Sequence, residues 1–264
     1  MLDRTMNQPL IEMRGIAKAF GAVRALRGAD LVLSHSEVLG LVGDNAAGKS
    51  TFMKVLTGVH RPDEGEILLE GKPVTFNSPR DSRAAGIEMI YQNLALAQNL
   101  DVVANVFLGR ELTRPVIPGV VNRLDEPRME AETRRLLDRL RINIASVRTN
   151  VERMSGGQQQ AVAIARAVAF QARVVIMDEP TASLAVKEVG KVLDLVNNLR
   201  EAGVSVILIS HRLQDVFTVC DRVMVLRTGA CVFERRIADT AMDEVVKYIV
   251  GAEAGNFSAI ASGR

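Results

Sequence analysis

The sequence lacks the features that mark secreted, membrane-spanning or nucleic-acid-binding proteins. Cys220 and Cys231 are its only cysteines. This excludes a disulfide framework and a cysteine metal cluster, and we expect reduced thiols in a cytoplasmic protein. The start, MLDRTMNQPL, has no apolar core of a secretory signal, and no uncharged run of about 18 residues predicts a membrane span. The net charge of +2 is too small to indicate nucleic acid as a partner.

The composition of the whole chain, with 48% apolar and 24% charged residues among 264, is typical of a soluble globular protein. Continuous apolar strands at positions 173–177, 204–209 and 222–226 alternate with helical patterns, which is typical of a parallel sheet buried on both faces. Residues 99–124 are predicted to be irregular, because prolines and a glycine interrupt them. We predict one α/β domain over residues 1–264, with a core from 10–100 and 170–264 divided by a helical subdomain at 101–169.

The stretch LVGDNAAGKSTF at residues 41–52 has the spacing of a phosphate-binding P-loop between a strand and a helix. Backbone amides of such a loop surround phosphate oxygens, Lys49 supplies a positive charge, and the Ser50 hydroxyl binds Mg²⁺. The alternative is an ordinary glycine-rich turn. Many such loops have glycine where this one has Ala46, and alanine there is strained if the position needs a positive φ. The predicted nucleotide-binding residues of the loop are Gly43, Asp44, Asn45, Ala46, Ala47, Gly48, Lys49, Ser50 and Thr51.

Two carboxylates follow the apolar strand in VVIMDEP, at Asp178 and Glu179. Ligands of α/β sheets bind at such strand ends. In a P-loop protein the first carboxylate, Asp178, holds Mg²⁺ through its water shell, and the second, Glu179, is placed to deprotonate an attacking water. The alternative is an acidic turn between a strand and a helix.

A second helix start with the character of an anion site lies in MSGGQQQ, at residues 154–160. Ser155 and two glycines present backbone amides at the positive end of that helix. The alternative is a plain serine-capped helix. By physical chemistry alone, one chain would then have two phosphate-binding helix ends.

The ordered set of a P-loop, SGGQ and a strand ending in DEP resembles the ATPase subunit of an ABC transporter. The resemblance covers positions 10 to 250 or so and implies a P-loop NTPase core with an antiparallel β subdomain and a helical insert. It further implies ATP and Mg²⁺ as cofactors, and a homodimer that holds two nucleotides between its chains. In that arrangement the signature of one chain contacts the γ-phosphate held by the other; here the signature residues are Ser155, Gly156, Gly157 and Gln158.

Three further positions match the family one at a time. Gln92 resembles the glutamine that senses Mg²⁺ and the attacking water, and His211 resembles the switch histidine that contacts the γ-phosphate. Phe20 resembles the aromatic residue that stacks on adenine. The alternatives are a solvated glutamine, a capped loop histidine and a core aromatic residue. The family's usual aspartate after the second carboxylate is replaced by Ala185, which bears on communication between the two ATP sites.

The phrase LDVVANVFLGREL at residues 100–112, together with GDN, PTASL and VKYIVGAE, resembles importers of the ribose, galactose and fructose type. This implies an ATPase at the cytoplasmic face of the inner membrane that powers sugar import through a permease fed by a secreted sugar-binding protein. We expect the permease to dock between Gln92 and about Pro118, with Phe107 and Leu108 at the contact. The alternative is a soluble ABC ATPase of DNA repair or translation, a class that tends to carry coiled-coil insertions or basic arms. The sequence shows neither.

Overall fold

A computed structural model describes residues 8–117 and 121–251, so both ends of the predicted domain and the last two residues of VKYIVGAE lie outside the described residues. The strands are β1 (Ile11–Phe20), β2 (Val23–Leu33), β3 (Val38–Val42), β4 (Glu64–Leu69), β5 (Lys72–Val74), β6 (Ile87–Ile90), β7 (Thr113–Ile117), β8 (Val121–Leu124), β9 (Val174–Asp178), β10 (Ser205–Ile209), β11 (Arg222–Arg227) and β12 (Ala230–Arg236). The longer helices are α1 (Lys49–Leu56), α2 (Pro79–Ala84), α3 (Val102–Phe107), α4 (Glu126–Arg139), α5 (Gly156–Val168), α6 (Val186–Glu201), α7 (Leu213–Val219) and α8 (Met242–Val250). Within the described ranges, no helix is long and apolar enough to cross a membrane.

A six-stranded sheet with the order β12-β11-β3-β10-β9-β6 forms the centre of the molecule. Its strands are parallel except for β12, which pairs antiparallel with β11. Successive residues of β9 face opposite sides: Val174 and Ile176 belong to one hydrophobic core, while Val175 and Met177 belong to the other. This alternation explains why the strand is a continuous apolar run, since both faces of the sheet are covered. The predicted α/β class is confirmed.

The first of these cores lies between the six-stranded sheet and a four-stranded antiparallel sheet with the order β2-β1-β4-β5. Helix α1 fills the space between them, with Phe52, Met53, Val55 and Leu56 all buried. Gly58 follows the end of the helix with a φ of 71°, as a helix C-terminus requires. The antiparallel β subdomain that the resemblance implied is therefore present. Its packing fixes the start of α1, which is where the P-loop ends.

The second core lies on the opposite face of the sheet, where α3, α4, α5 and α6 contribute buried side chains. The prediction that residues 99–124 are irregular is wrong, because they contain α3 and the β7-β8 hairpin. Asp101 caps α3 by accepting from the Ala104 amide at 2.8 Å. Pro115 is tolerated because it lies in an exposed strand of a two-stranded ribbon. The division into a core and a helical subdomain at 101–169 remains a proposal.

The two cysteines are free thiols. Cys220 is buried between the sheet and α7, and burial raises the pKa of its thiol far above the usual value. Burial also raises the pKa of Cys231, to about 11. Because the thiolate is the reactive form, neither side chain is a nucleophile near neutral pH.

Candidate nucleotide-binding site

A cleft of about 500 Å³ opens at the carboxyl ends of the parallel strands. The loops after β3, β6, β9 and β10 reach it because the carboxyl ends of parallel strands meet at one edge of a sheet. The predicted residues Gln92, Glu179 and His211 therefore share one cleft with the P-loop. Ile249 of α8 also lines the cleft, although no sequence pattern indicates it. The complete lining is Val42, Gly43, Asp44, Asn45, Gln92, Glu179, Ala182, Ser210, His211, Leu213 and Ile249.

Both glycines of the P-loop are required by close backbone contacts. Gly43 has a φ of 147°, and a Cβ there would lie 2.1 Å from the carbonyl oxygen of Leu226. Gly48 has a φ of 102°, and its Cβ would lie 2.7 Å from the carbonyl oxygen of Ala25. No side chain fits at either distance, so the loop closes tightly against β2 and β11. The loop leads directly into the start of α1.

Lys49 lies at the first position of α1 and turns back over the loop. Its ammonium group donates to the carbonyl oxygens of Gly43 at 2.6 Å and Asp44 at 2.9 Å. Burial lowers the pKa of Lys49, and the nearby carboxylates of Glu179 and Asp178 oppose that shift. A partly desolvated ammonium group in a loop of amides is suited to bind a phosphate anion. Ser50 and Thr51 follow in the first turn of the same helix.

Glu179 lines the cleft directly after the end of β9. Its Oε2 lies 2.7 Å from Nδ1 of His211, and its side chain is 17% exposed, compared with 63% for the histidine. Glu179 has a φ of 51°, an uncommon conformation that is found at many functional sites, and its amide donates to the Ile209 carbonyl at 2.9 Å. Burial and the neighbouring Glu179 charge raise the pKa of the Asp178 carboxyl. A cation beside Asp178 would offset that cost.

Gln92 is exposed in the loop after β6. Two residues further along, this loop is held by Arg166 of α5, which donates to the carbonyl oxygens of Leu94 at 2.6 Å and Ala95 at 2.8 Å. Burial lowers the pKa of the Arg166 guanidinium, and Glu88 opposes the shift. No sequence pattern indicates this contact, since 71 residues separate Arg166 from Ala95. The contact joins the helix that begins at the signature to the loop that contains Gln92.

Phe20 lies at the end of β1 and is 46% exposed, so the alternative that it is a core residue is wrong. Its ring meets the ring of His60 edge to face at 5.1 Å between centroids, and Lys18 Nζ lies 5.8 Å from the Phe20 centroid. An exposed ring held by two neighbours is available for stacking on a planar base.

The signature residues do not line the P-loop cleft. Ser155 is the N-cap of α5, accepts from the Gln158 amide at 3.4 Å, and its own amide donates to Oε1 of Gln158 at 3.0 Å. Ser155, Gly157 and Gln158 border a different groove, between α5 and α6. The two predicted anion sites of one chain are thus separate surfaces. The alternative of a plain serine-capped helix start describes this local geometry.

Ala46 has a φ of 70°, so the strain considered from the sequence is present. A left-handed conformation costs a residue with a Cβ about 1–2 kcal/mol, and glycine gives back about 0.4–1 kcal/mol through the entropy of the unfolded chain. We therefore expect Ala46→Gly to raise the free energy of unfolding by about 0.5–1 kcal/mol in urea titrations. Ala47→Gly is the matched control and should lower it, because Ala47 has no positive φ. A less stable Ala46→Gly protein would contradict the strain.

A glycine-rich loop leading into a helix, with strand-end carboxylates across a cleft, defines a P-loop nucleoside triphosphatase. The profile of the ABC transporter family matches residues 26–182, and the chain belongs to this family. It is accordingly an ATP-binding protein and an ATPase. The xylose/arabinose import ATP-binding protein XylG of Sulfolobus acidocaldarius is 44% identical over 246 residues, which are 93% of this chain and 96% of that protein.

A second relative is the fructose import ATP-binding protein FrcA of Rhizobium meliloti. It is 46% identical over 259 residues, which cover 97% of this chain and 99% of that protein. Among solved structures, the ADP conformation of an ATP-binding cassette of an ABC transporter superposes with a TM-score of 0.79 at 25% identity. That match covers 95% of this chain and all of the other. The P-loop ABC fold predicted from the sequence is confirmed.

Proposed function

We propose that this chain hydrolyses ATP to power the import of a sugar through a membrane permease. The observation that carries the proposal is the single cleft shared by the P-loop, Gln92, Glu179 and His211. The names of the two relatives, a xylose/arabinose and a fructose import protein, support a sugar as the transported class. They do not support the alternative of DNA repair or translation. The proposed location is the cytoplasmic face of the inner membrane, where the permease receives its sugar from a secreted binding protein.

In the proposed reaction Glu179 takes the proton from the attacking water, since its carboxylate faces the cleft from the end of β9. His211 holds one carboxylate oxygen at 2.7 Å, which leaves the other free to accept that proton. Lys49 gives up its bonds to the Gly43 and Asp44 carbonyls and neutralises charge on the outer phosphates. The exposed Phe20 ring stacks on the adenine.

The residues proposed for Mg²⁺ are Ser50, Gln92 and Asp178. They offer a hydroxyl, an amide oxygen and a carboxylate, and such oxygen ligands suit a small hard cation that keeps several waters. Burial raises the pKa of Asp178, so a bound cation would relieve the cost of its negative charge there. When bound, Mg²⁺ supplies neutralisation of the charge that develops on the phosphates.

We further propose that two copies of the chain form the complete site. Ser155, Gly156, Gly157 and Gln158 form the N-terminal end of α5, and none of them lines the cleft that contains Gly43, Asp44 and Asn45 of the P-loop. A second chain facing the first would bring its signature to the nucleotide held by the P-loop. Each nucleotide would then contact both chains, so ATP binding would close the pair and hydrolysis would reopen it.

Phe107 does not fit the expected permease contact. It is 3% exposed and meets Phe170 edge to face at 5.7 Å, so it belongs to the core, whereas Leu108 is 47% exposed. Leu108 follows α3 and precedes Gly109, which lines a groove of about 560 Å³ together with Arg80, Arg83 and Arg110. Arg110 already pairs with Glu88 at 2.6 Å, whereas the groove also has Arg80 and Arg83. An exposed leucine at the edge of such a groove suits a permease segment that presents an apolar and an acidic side chain. Pro118, at the far end of the expected surface, lies outside the described residues.

We expect Leu108→Asp to abolish sugar uptake while the hydrolysis rate of the purified chain stays within about twofold, because the change lies outside the cleft. The measurement is uptake of labelled pentoses and hexoses by cells that lack the gene and are complemented with each variant. Val246→Asp is the matched control, since Val246 is an exposed apolar residue of α8. Full uptake with Leu108→Asp would rule out this docking surface. Unchanged uptake of every sugar in the gene-deleted cells would rule out sugar import.

A further inference from the structure

Glu188 lies in the first turn of α6 and contacts the signature of its own chain. Its side chain borders the same groove as Ser155 and Gly157. The Ser155 hydroxyl, and to a smaller extent the backbone amides of Gly157 and Ala185, hold the pKa of the Glu188 carboxyl below its usual range. Glu188 is therefore an anion at the start of α5.

The contact is built into the packing of the two helices. A Cβ on Gly157 would lie 3.1 Å from Cβ of Glu188, and a Cβ on Gly156 would lie 3.7 Å from its Oε2. The two glycines thus allow α6 to approach α5 closely enough for the carboxylate to reach the helix N-terminus. A positive helix end stabilises the negative charge placed there.

The groups that bind Glu188 are also the groups that, in the proposed function, receive the terminal phosphate of a nucleotide held by the second chain. A hydroxyl hydrogen and an amide hydrogen cannot serve a carboxylate and a phosphate fully at the same time. Two anions in contact with the same helix end also repel each other. When the pair of chains closes, either the contacts of Glu188 with the signature must break, or the repulsion between the carboxylate and the phosphate must raise the free energy of the closed pair.

We propose that Glu188 competes with the nucleotide phosphate for the signature. In the open chain the Glu188 carboxylate occupies the signature, and it opposes closure of the pair until the phosphate displaces it. This inference rests on the proposed two-chain site. Lys191 offers the released carboxylate an alternative partner, since it lies three residues along the same helix and lines the same groove. Each closed pair displaces two such carboxylates, one per chain.

The test compares ATP-driven pairing of chains that cannot hydrolyse ATP. In a Glu179→Gln background, Glu188→Gln removes the charge and keeps the size, and we expect it to lower the dimer dissociation constant by roughly tenfold in sedimentation equilibrium with Mg-ATP. Glu188→Ala removes the acceptor as well and should lower it at least as much. Glu201→Gln is the matched control, because it removes one charge at the other end of α6, where the carboxylate pairs with Arg141. It should leave pairing within about twofold.

A second measurement observes the contact without nucleotide or pairing. The amide resonance of Gly157 in the open chain should shift in Glu188→Gln and Glu188→Ala but not in Glu201→Gln. An unmoved Gly157 resonance, or equal or weaker pairing of the Glu188 variants, would overturn the inference. Failure of every variant to pair would instead contradict the two-chain site, and with it the competing role of Glu188. The Gly157 resonance would still report whether Glu188 contacts the signature.

Discussion

Lys49→Ala is expected to weaken Mg-ATP binding by roughly 100-fold or more and to abolish hydrolysis, since the charge that neutralises the outer phosphates is lost from the loop. The ammonium group is partly desolvated and already directed into the loop, where it contacts the carbonyl oxygens of Gly43 and Asp44. Titration with a fluorescent ATP analogue measures the affinity, and phosphate release measures turnover.

Lys72→Ala is the control for this substitution, because Lys72 is an exposed lysine of the short strand β5. It should leave both quantities within about twofold. Thermal melts followed by circular dichroism establish that both variants are folded. Affinity and turnover like those of the unaltered chain would exclude Lys49 from the nucleotide site.

Glu179→Gln should lower the hydrolysis rate by roughly 10²- to 10⁴-fold and leave ATP binding largely intact. Glutamine keeps the size of the side chain and its bond to His211, but it cannot take a proton from water. The ATP-bound pair of Glu179→Gln chains should then accumulate. Size-exclusion chromatography with light scattering, with and without Mg-ATP, follows its mass.

Adding Ser155→Arg to the Glu179→Gln protein should prevent that pairing, because a bulky cation replaces a small hydroxyl at the shared phosphate. ATP affinity of each chain for its own P-loop should change little, since Ser155 does not line the cleft. An ATP-loaded Glu179→Gln protein that stays monomeric at high concentration, with or without the permease, would speak against the two-chain site.

Local sequence patterns predicted much of the central fold and the cleft. The apolar strand at 173–177 and the two carboxylates after it could be placed because strand end and chemistry are adjacent in the chain. The P-loop could be placed for the same reason, whereas the positive φ of Ala46 entered only as the condition under which alanine would be strained. The six-stranded sheet then brings Gln92 and His211 to the same edge, since its strands run parallel.

Contacts between distant segments could not be predicted in this way. The exposed position of Leu108 and the buried position of Phe107 depend on the packing of α3 against Phe170, and adjacent apolar letters do not distinguish them. The contact between Glu188 and Ser155 joins the starts of two helices. The hydrogen bond from Arg166 to the Ala95 carbonyl joins residues 71 positions apart in the sequence. Neither has a pattern with a fixed spacing. The hairpin of β7 and β8 is hidden from sequence reasoning because Pro115, which lies in β7, normally indicates an interruption of regular structure.

The most direct test of the central claim is to mix two variants that are each inactive. Lys49→Ala lacks a working P-loop, Ser155→Arg lacks a working signature, and a mixed pair has one intact site, formed by the P-loop of one chain and the signature of the other. If two chains share each nucleotide, an equal mixture should hydrolyse ATP well above either variant alone and reach at most roughly half of the unaltered rate, because each mixed pair has one intact site of two. A mixture no more active than its separate components would contradict the account.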